Sequence, residues 1–107
     1  MAARPTRWAV KPASARAKKE WEGAKAREPD LMAAELERLT HRPLERGNPR
    51  RTGPLKGSLA WRRVGDRRLP QCQHELTGAA RLWYCVDKDA RIIWVTKVSL
   101  SHPHETD

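Results

Sequence analysis

The sequence predicts an α+β fold in which an N-terminal strand and an antiparallel helical hairpin precede a three-stranded antiparallel meander that completes a small sheet. Two helical repeats of apolar residues occupy the first half of the chain, and three strand-like runs follow Pro70. Connections of only four and three residues, TGAA and KDA, join those runs. Such connections leave no room for a crossover helix, so the meander is antiparallel. At 107 residues, the chain fits one domain, 1–107.

The first half of the chain is predicted to contain a short strand and two helices. Residues 7–11 alternate weakly, as a short strand does, and the alanine- and lysine-rich residues 13–26 favour a helix. Pro29 ends this helix, and Asp30 is the expected N-cap of a second one that ends near His41. Apolar residues recur at i, i+4 and i+7 in each helix: Ala17, Trp21 and Ala24, then Met32, Leu36 and Leu39.

Residues 42–68 form a basic segment that is predicted to be mainly loop, with one extended piece at about 59–64. Nine basic and two acidic residues give this segment +7 of the chain's net charge of +9. Arginine predominates, and its planar fork suits bidentate contacts to phosphate. Two interpretations of this segment remain open: a solvated loop and a phosphate-binding surface. For Trp61, the alternatives are stacking on a base and closing the core. The RNA-binding candidates here are Arg50, Arg51, Lys56, Trp61, Arg62, Arg63, Arg67 and Arg68.

The runs at 71–76 and 81–87 are predicted to form a hairpin around the loop TGAA. A four-residue loop pairs Leu76 with Arg81 and His74 with Trp83. Because side chains alternate along a strand, His74, Arg81 and Trp83 then share the side of the sheet away from the helices. An arginine and a histidine beside a large aromatic ring make that side of the sheet a candidate substrate-binding surface. The opposite side, packed on the helices, takes Leu82, Tyr84 and Val86.

The cysteine content and the absence of long apolar runs indicate a cytoplasmic protein. Cys72 and Cys85 are too few for a disulfide scaffold and too far apart for a C-x-x-C metal knuckle. The predicted register places them opposite each other, where oxidation could join them, but free thiols fit a reducing compartment. The N-terminus lacks the apolar middle region of a secretory signal, and no apolar run approaches the ~20 residues of a membrane span.

The order of elements and three short motifs resemble the RelE/ParE toxin superfamily of bacterial type II toxin–antitoxin systems. The motifs are GPLKGSL at 53–59, RLWYCVD at 81–87 and RIIWVTKV at 91–98, and the resemblance covers nearly the whole chain. It implies a small basic toxin that is silenced by a cognate acidic antitoxin. RelE-like members are endoribonucleases that cut messenger RNA, usually in the ribosome, whereas ParE-like members inhibit DNA gyrase.

The same resemblance implies roles for particular residues. The arginine that opens the Arg-x-x-Tyr strand of RelE-like members binds phosphate, a role that carries over to Arg81, and Tyr84 matches a largely structural position. Further catalytic groups follow the last strand in the family, and histidine is suited to proton transfer near neutral pH. Arginine stays protonated and stabilises the transition state instead. The catalytic candidates are Arg81, His74, Lys97, His102 and His104, and Trp83 is a further RNA-contact candidate.

The resemblance therefore implies a metal-independent messenger RNA endoribonuclease that inhibits translation, whereas the residues alone indicate a basic α+β protein with a surface for RNA or an acidic partner. Its expected partners are an acidic antitoxin and messenger RNA, free or on the ribosome, with no membrane and no cofactor. The tail SHPHETD superficially suggests a metal site, but clustered terminal histidines are weak ligand sets, and no metal is expected. The alternatives are a non-enzymatic gyrase inhibitor and a catalytically inert module that binds only an antitoxin.

Overall fold

The computed structural model describes residues 7–44 and 52–101. Within these ranges, the elements are β1 (Ala9–Pro12), α1 (Ala15–Arg27), α2 (Pro29–His41), β2 (Thr52–Pro54), β3 (Trp61–Val64), β4 (Arg67–Glu75), β5 (Arg81–Asp87) and β6 (Ile92–Ser99). A short 3₁₀ helix, Gly57–Ala60, lies between β2 and β3. No helix in the described ranges is long and apolar enough to cross a membrane.

The predicted α+β architecture is confirmed. The strands form a mixed sheet in the order β1-β6-β5-β4-β2, and β3 extends it by pairing with the first half of β4. Strands β4, β5 and β6 are the antiparallel meander, and β1 completes the sheet by lying parallel to β6. Both helices pack on one side of this sheet, here called the helix side. The opposite side is called the open side.

The two helices begin as their local sequences dictate, with one difference from the prediction. The Ser14 side chain accepts a hydrogen bond from the Ala17 backbone N–H at 3.1 Å and caps α1. Pro29 separates the helices, but it is itself the first residue of α2, and the N-cap is Glu28 rather than Asp30. Proline suits this position because its missing N–H would have no partner in the helix. Asp30 lies in the first turn, where a carboxylate interacts favourably with the helix dipole.

The core fills the space between the helices and the sheet. Leu36, one of the three residues in the apolar repeat of α2, is 42% exposed, whereas Glu35 is buried. Glu35 tolerates burial because Arg38 donates two hydrogen bonds to it, both of 2.8 Å, one to each carboxylate oxygen. The largest fully buried side chains of this core are Met32, Leu39, Leu82, Ile93 and Val95, whereas Cys85 is fully buried on the open side.

Regular structure occupies much of the segment that was predicted to be mainly loop. Strand β3 agrees with the expected extended piece, but Arg67 and Arg68 already belong to β4. A tight turn at Gly65 and Asp66 joins the two strands, and Gly65 adopts a φ of +62° that glycine permits without strain. Arg50 and Arg51 lie outside the described residues.

The β4–β5 hairpin differs from the predicted register by one residue. Glu75, rather than Leu76, faces Arg81, so five residues form the loop. Leu76 is buried in the core, and its backbone N–H donates to the Ala80 carbonyl oxygen at 2.9 Å, which makes it part of the loop. A shift of one residue exchanges the two sides of a strand. His74 therefore lies on the helix side, and its predicted place on the open side is wrong.

The same shift separates the two cysteines. Cys72 faces Tyr84, and Cys85 faces Gln71, so the two thiols project from opposite sides of the sheet. Neither cysteine forms a disulfide bond. The predicted pairing of Cys72 opposite Cys85 is therefore wrong.

Candidate active site on the open side of the sheet

Two rows of side chains cross the meander on its open side. Diagonal neighbours in such rows have Cβ atoms about 7–8 Å apart, and Arg81 and Lys97 are diagonal neighbours. The open side thus brings together two cations, a carboxylate and an indole ring. From β4 to β6, the rows are Glu75, Arg81 and Ser99, then Gln73, Trp83 and Lys97.

Arg81 is anchored to the loop that precedes it. Its Nη1 donates hydrogen bonds to the carbonyl oxygens of Thr77, Gly78 and Ala80 at 3.0, 3.2 and 3.1 Å. The same nitrogen lies 4.0 Å from Oε1 of Glu75, and the Arg81 side chain is 12% exposed. These contacts use one nitrogen of the fork. Among the described residues, none accepts a hydrogen bond from Nε or Nη2.

Lys97 lies above a buried tryptophan. Its Nζ is 5.7 Å from the ring centroid of Trp83, a cation–π arrangement. Trp83 is buried and donates from its indole Nε1 to Oε1 of Gln73 at 2.7 Å. Trp83 therefore forms a floor beneath Lys97, and its burial leaves little ring surface on which an RNA base could stack.

His74 contacts α2 instead of the open side. Its Nε2 lies 3.7 Å from Oε1 of Glu35, and the sheet separates its imidazole from Arg81. A proton transfer to a substrate bound at Arg81 does not fit this position. His102 and His104 lie outside the described residues. Within those residues, no group of three or more His, Cys, Asp or Glu side chains could hold a metal ion.

Glu75 occupies the position beside Arg81 that the prediction gave to His74. It escaped the sequence prediction because the loop was taken to be one residue shorter. A signal was available: Glu75 and Arg81 are opposite charges that flank the loop, and such pairs stabilise facing positions of antiparallel strands. The observed pair gives the open side a carboxylate next to its arginine.

Arg67 joins β4 to the turn after β5. Its Nη1 lies 2.7 Å from Oδ1 of Asp87, and its Nη2 lies 3.2 Å from Oδ2 of Asp89. Burial by itself raises the pKa of the Asp87 carboxyl, but hydrogen bonds from the Ala90 N–H and the Trp94 side chain, together with Arg67, bring that pKa below its ordinary value. Two carboxylates therefore compete with phosphate for Arg67, one of the predicted RNA-binding residues.

The other described members of the basic segment differ in exposure. Arg62 is half-buried, whereas Lys56, Arg63 and Arg68 are exposed. Trp61 is 48% exposed, so it does not close the core. The exposed cations and this ring remain accessible to a phosphate-rich partner.

Two solved structures share this fold. A metal-bound toxin from Helicobacter pylori superimposes with a TM-score of 0.63 at 16% identity, and the match covers 89% of this chain and 94% of that one. A chain of the toxin–antitoxin complex RelBE2 from Mycobacterium tuberculosis gives a TM-score of 0.52 at 20% identity, and the match covers 91% of this chain and 99% of that one. Neither a protein-family model nor a curated protein sequence matches the chain. The chain therefore has the α+β fold of these toxin structures, which confirms the resemblance to RelE/ParE toxins at the level of the fold.

Proposed function

We propose that this chain is the toxin of a type II toxin–antitoxin system and that it inhibits translation by cleaving RNA without a metal ion. The fold shared with two toxin structures supports the first part. One observation carries the second part: on the open side, Oε1 of Glu75 lies 4.0 Å from Nη1 of Arg81, and Lys97 is a diagonal neighbour of this arginine. In this proposal, residues 1–107 form one toxin domain that acts in the cytoplasm.

These residues suit the three requirements of metal-free RNA cleavage. The Glu75 carboxylate takes the proton of a ribose 2′-hydroxyl, whose oxygen then attacks the adjacent phosphorus. Nε and Nη2 of Arg81 stabilise the negative charge that develops on the phosphate, while Nη1 holds the guanidinium against the loop. Lys97 adds positive charge as the bond from phosphorus to the 5′-oxygen breaks. The acid that protonates this oxygen is Lys97, His102 or His104.

The charge of the chain supports the proposed partners. A net charge of +9 attracts phosphate-rich RNA and, equally, an acidic antitoxin. The RelBE2 structure is itself a toxin–antitoxin complex. We therefore propose a cognate acidic antitoxin as the protein partner and messenger RNA, free or on the ribosome, as the substrate.

Expression of the Arg81→Lys variant in bacteria tests this proposal. Lysine keeps the positive charge and can still bind loop carbonyls, but it lacks the fork, so we expect the variant to fold and RNA cleavage to fall by about 100-fold or more. Arg16→Lys, at an exposed position on α1, is the matched control. Wild-type protein should arrest growth and shorten messenger RNA. Inhibition of gyrase supercoiling without RNA cleavage would instead select the gyrase-inhibitor alternative.

A further inference from the structure

A basic and aromatic surface lies at the far end of β4 from the candidate active site. Trp61 faces Pro70 across the β3–β4 hairpin, and Arg63 faces Arg68. Because side chains alternate, these four residues project from the same side of the hairpin, which is the side of β4 that carries His74. Trp61, Arg63 and Arg68 are here called the Trp61 platform.

The exposure of Trp61 sets it apart from the core tryptophans. Trp61 is 48% exposed, whereas Trp8 is 8% exposed. The guanidinium carbon of Arg68 lies 5.0 Å from the Trp61 ring centroid, a cation–π contact in water. In contrast to Arg67, neither Arg63 nor Arg68 forms an ion pair with any carboxylate in the described part of the chain. Two uncompensated arginines therefore accompany an exposed ring.

We propose that the Trp61 platform binds single-stranded RNA, with a base stacked on Trp61 and phosphates held by Arg63 and Arg68. This inference rests on the proposed function, since it adds an anchoring site for the same substrate. Sites that bind single strands without sequence preference combine stacking rings with a cationic track. Protein-binding surfaces have an apolar centre instead. The four residues that β3 and β4 place on this side of the hairpin are Trp61, Pro70 and two arginines. The composition therefore favours RNA over an acidic protein.

The distance between the two sites determines what the Trp61 platform can do. Glu75 lies seven positions after Arg68 in β4, a distance of about 23 Å at the rise of an extended strand. The platform lies on the helix side, whereas Glu75 lies on the open side. A strand of RNA that occupies both sites is therefore held several nucleotides from the bond that is cut. The Trp61 platform should contribute to affinity and KM and leave kcat nearly unchanged.

Binding of a labelled 12-nucleotide single-stranded RNA that carries 2′-O-methyl groups throughout, and so cannot be cleaved, tests the inference by fluorescence anisotropy. Trp61→Ala should weaken binding about 5- to 150-fold without changing the salt dependence, because stacking is not ionic. Trp61→Phe, which keeps a ring, should weaken it less. Arg68→Gln should lower the slope of log affinity against log salt by about 0.7. Arg16→Gln is the exposed control, and circular dichroism checks that each variant folds.

Two outcomes would overturn the inference. One is wild-type affinity in both Trp61→Ala and Arg68→Gln. The other is competition by poly-glutamate as effective as competition by unlabelled RNA, with no dependence on Trp61, which would indicate an acidic protein as the occupant.

A cleavage assay separates this inference from the proposed function. If the wild-type protein cleaves RNA and Trp61→Ala leaves KM unchanged, the RNA-binding role of the Trp61 platform is refuted and the toxin proposal stands. If the wild-type protein does not cleave RNA but the Trp61 platform variants lose RNA binding, the RNA-binding role of the platform is supported and the cleavage proposal is refuted. A raised KM with kcat within about twofold of wild type supports both.

Discussion

Nε2 of His74 lies 3.7 Å from Oε1 of the buried Glu35. This contact fixes His74 beneath the sheet, against α2. The next residue in the strand, Glu75, points to the opposite side, where it lies 4.0 Å from Nη1 of Arg81. Two adjacent titratable residues of β4 thus have different environments, and only Glu75 borders the candidate active site.

Substitution of each of these neighbours by glutamine should give opposite results. Glu75→Gln removes the proposed base, so we expect RNA cleavage to fall about 10²- to 10⁴-fold while the fold is kept. His74→Gln should leave cleavage within a few-fold of wild type and affect mainly stability. Cleavage rates of the two purified variants, with thermal unfolding of each, check this. A large loss of cleavage in a folded His74→Gln protein would contradict the assignment.

The buried ion pair between Glu35 and Arg38, which lies within α2, should contribute strongly to stability. Arg38→Met leaves the buried Glu35 carboxylate without its bidentate partner, and we expect a loss of about 3 kcal/mol in the free energy of unfolding. Arg16→Met makes the same change in the pair with Glu20, whose arginine side chain is 81% exposed, and should cost about 0.5 kcal/mol or less. Urea denaturation measures both values. Equal losses would show that burial of the pair contributes nothing.

Asp87 should make stability dependent on acid. Its pKa in the folded protein is below the ordinary value of about 3.9, so its stabilisation is complete at neutral pH and is lost as pH falls from about 5 through the folded-state pKa. Asp87→Asn should cost about 1–3 kcal/mol at pH 7 and flatten the curve of stability against pH in this acid range. Asp89→Asn, at a largely exposed side chain, should change little. Urea midpoints measured from pH 7 to pH 3 test the sign and the window.

The two thiols should react separately and should not join. Burial raises the pKa of the Cys85 thiol to about 12, so almost none of it is thiolate at pH 8. In native protein at pH 8, we expect Cys85 to resist a thiol reagent, including in the Cys72→Ser variant, and to react after unfolding in urea. Mild oxidation should not produce an internal disulfide, because the two side chains leave opposite sides of the sheet. Rapid native labelling of Cys85 would contradict its buried position.

Several features were predictable because they depend on neighbouring residues. The helical periods, the break at Pro29 and the runs after Pro70 follow from local pattern, and the structure confirms the elements they predicted. The concentration of positive charge in residues 42–68 is likewise a property of composition. Arg81 was placed correctly on the open side, because either register leaves it on the side of β5 opposite Leu82.

The contents of the candidate site were decided by contacts between distant residues. Burial of Leu76 in the core lengthened the hairpin loop by one residue, which moved His74 to the helix side and brought Glu75 to Arg81. The ion pairs of Arg67 with two carboxylates about twenty residues away distinguish it from Arg68 beside it, which has no ion pair among the described residues.

The sequence by itself determined the order of helices and strands, the basic segment and the arginine on the open side, because local periodicity and composition specify these. Only the tertiary structure decided which side chains meet Arg81 and which arginines remain exposed beside Trp61. The physical reason is that strand register and ion pairing depend on the free energy of burying particular residues against others far along the chain. Local sequence patterns do not specify that free energy.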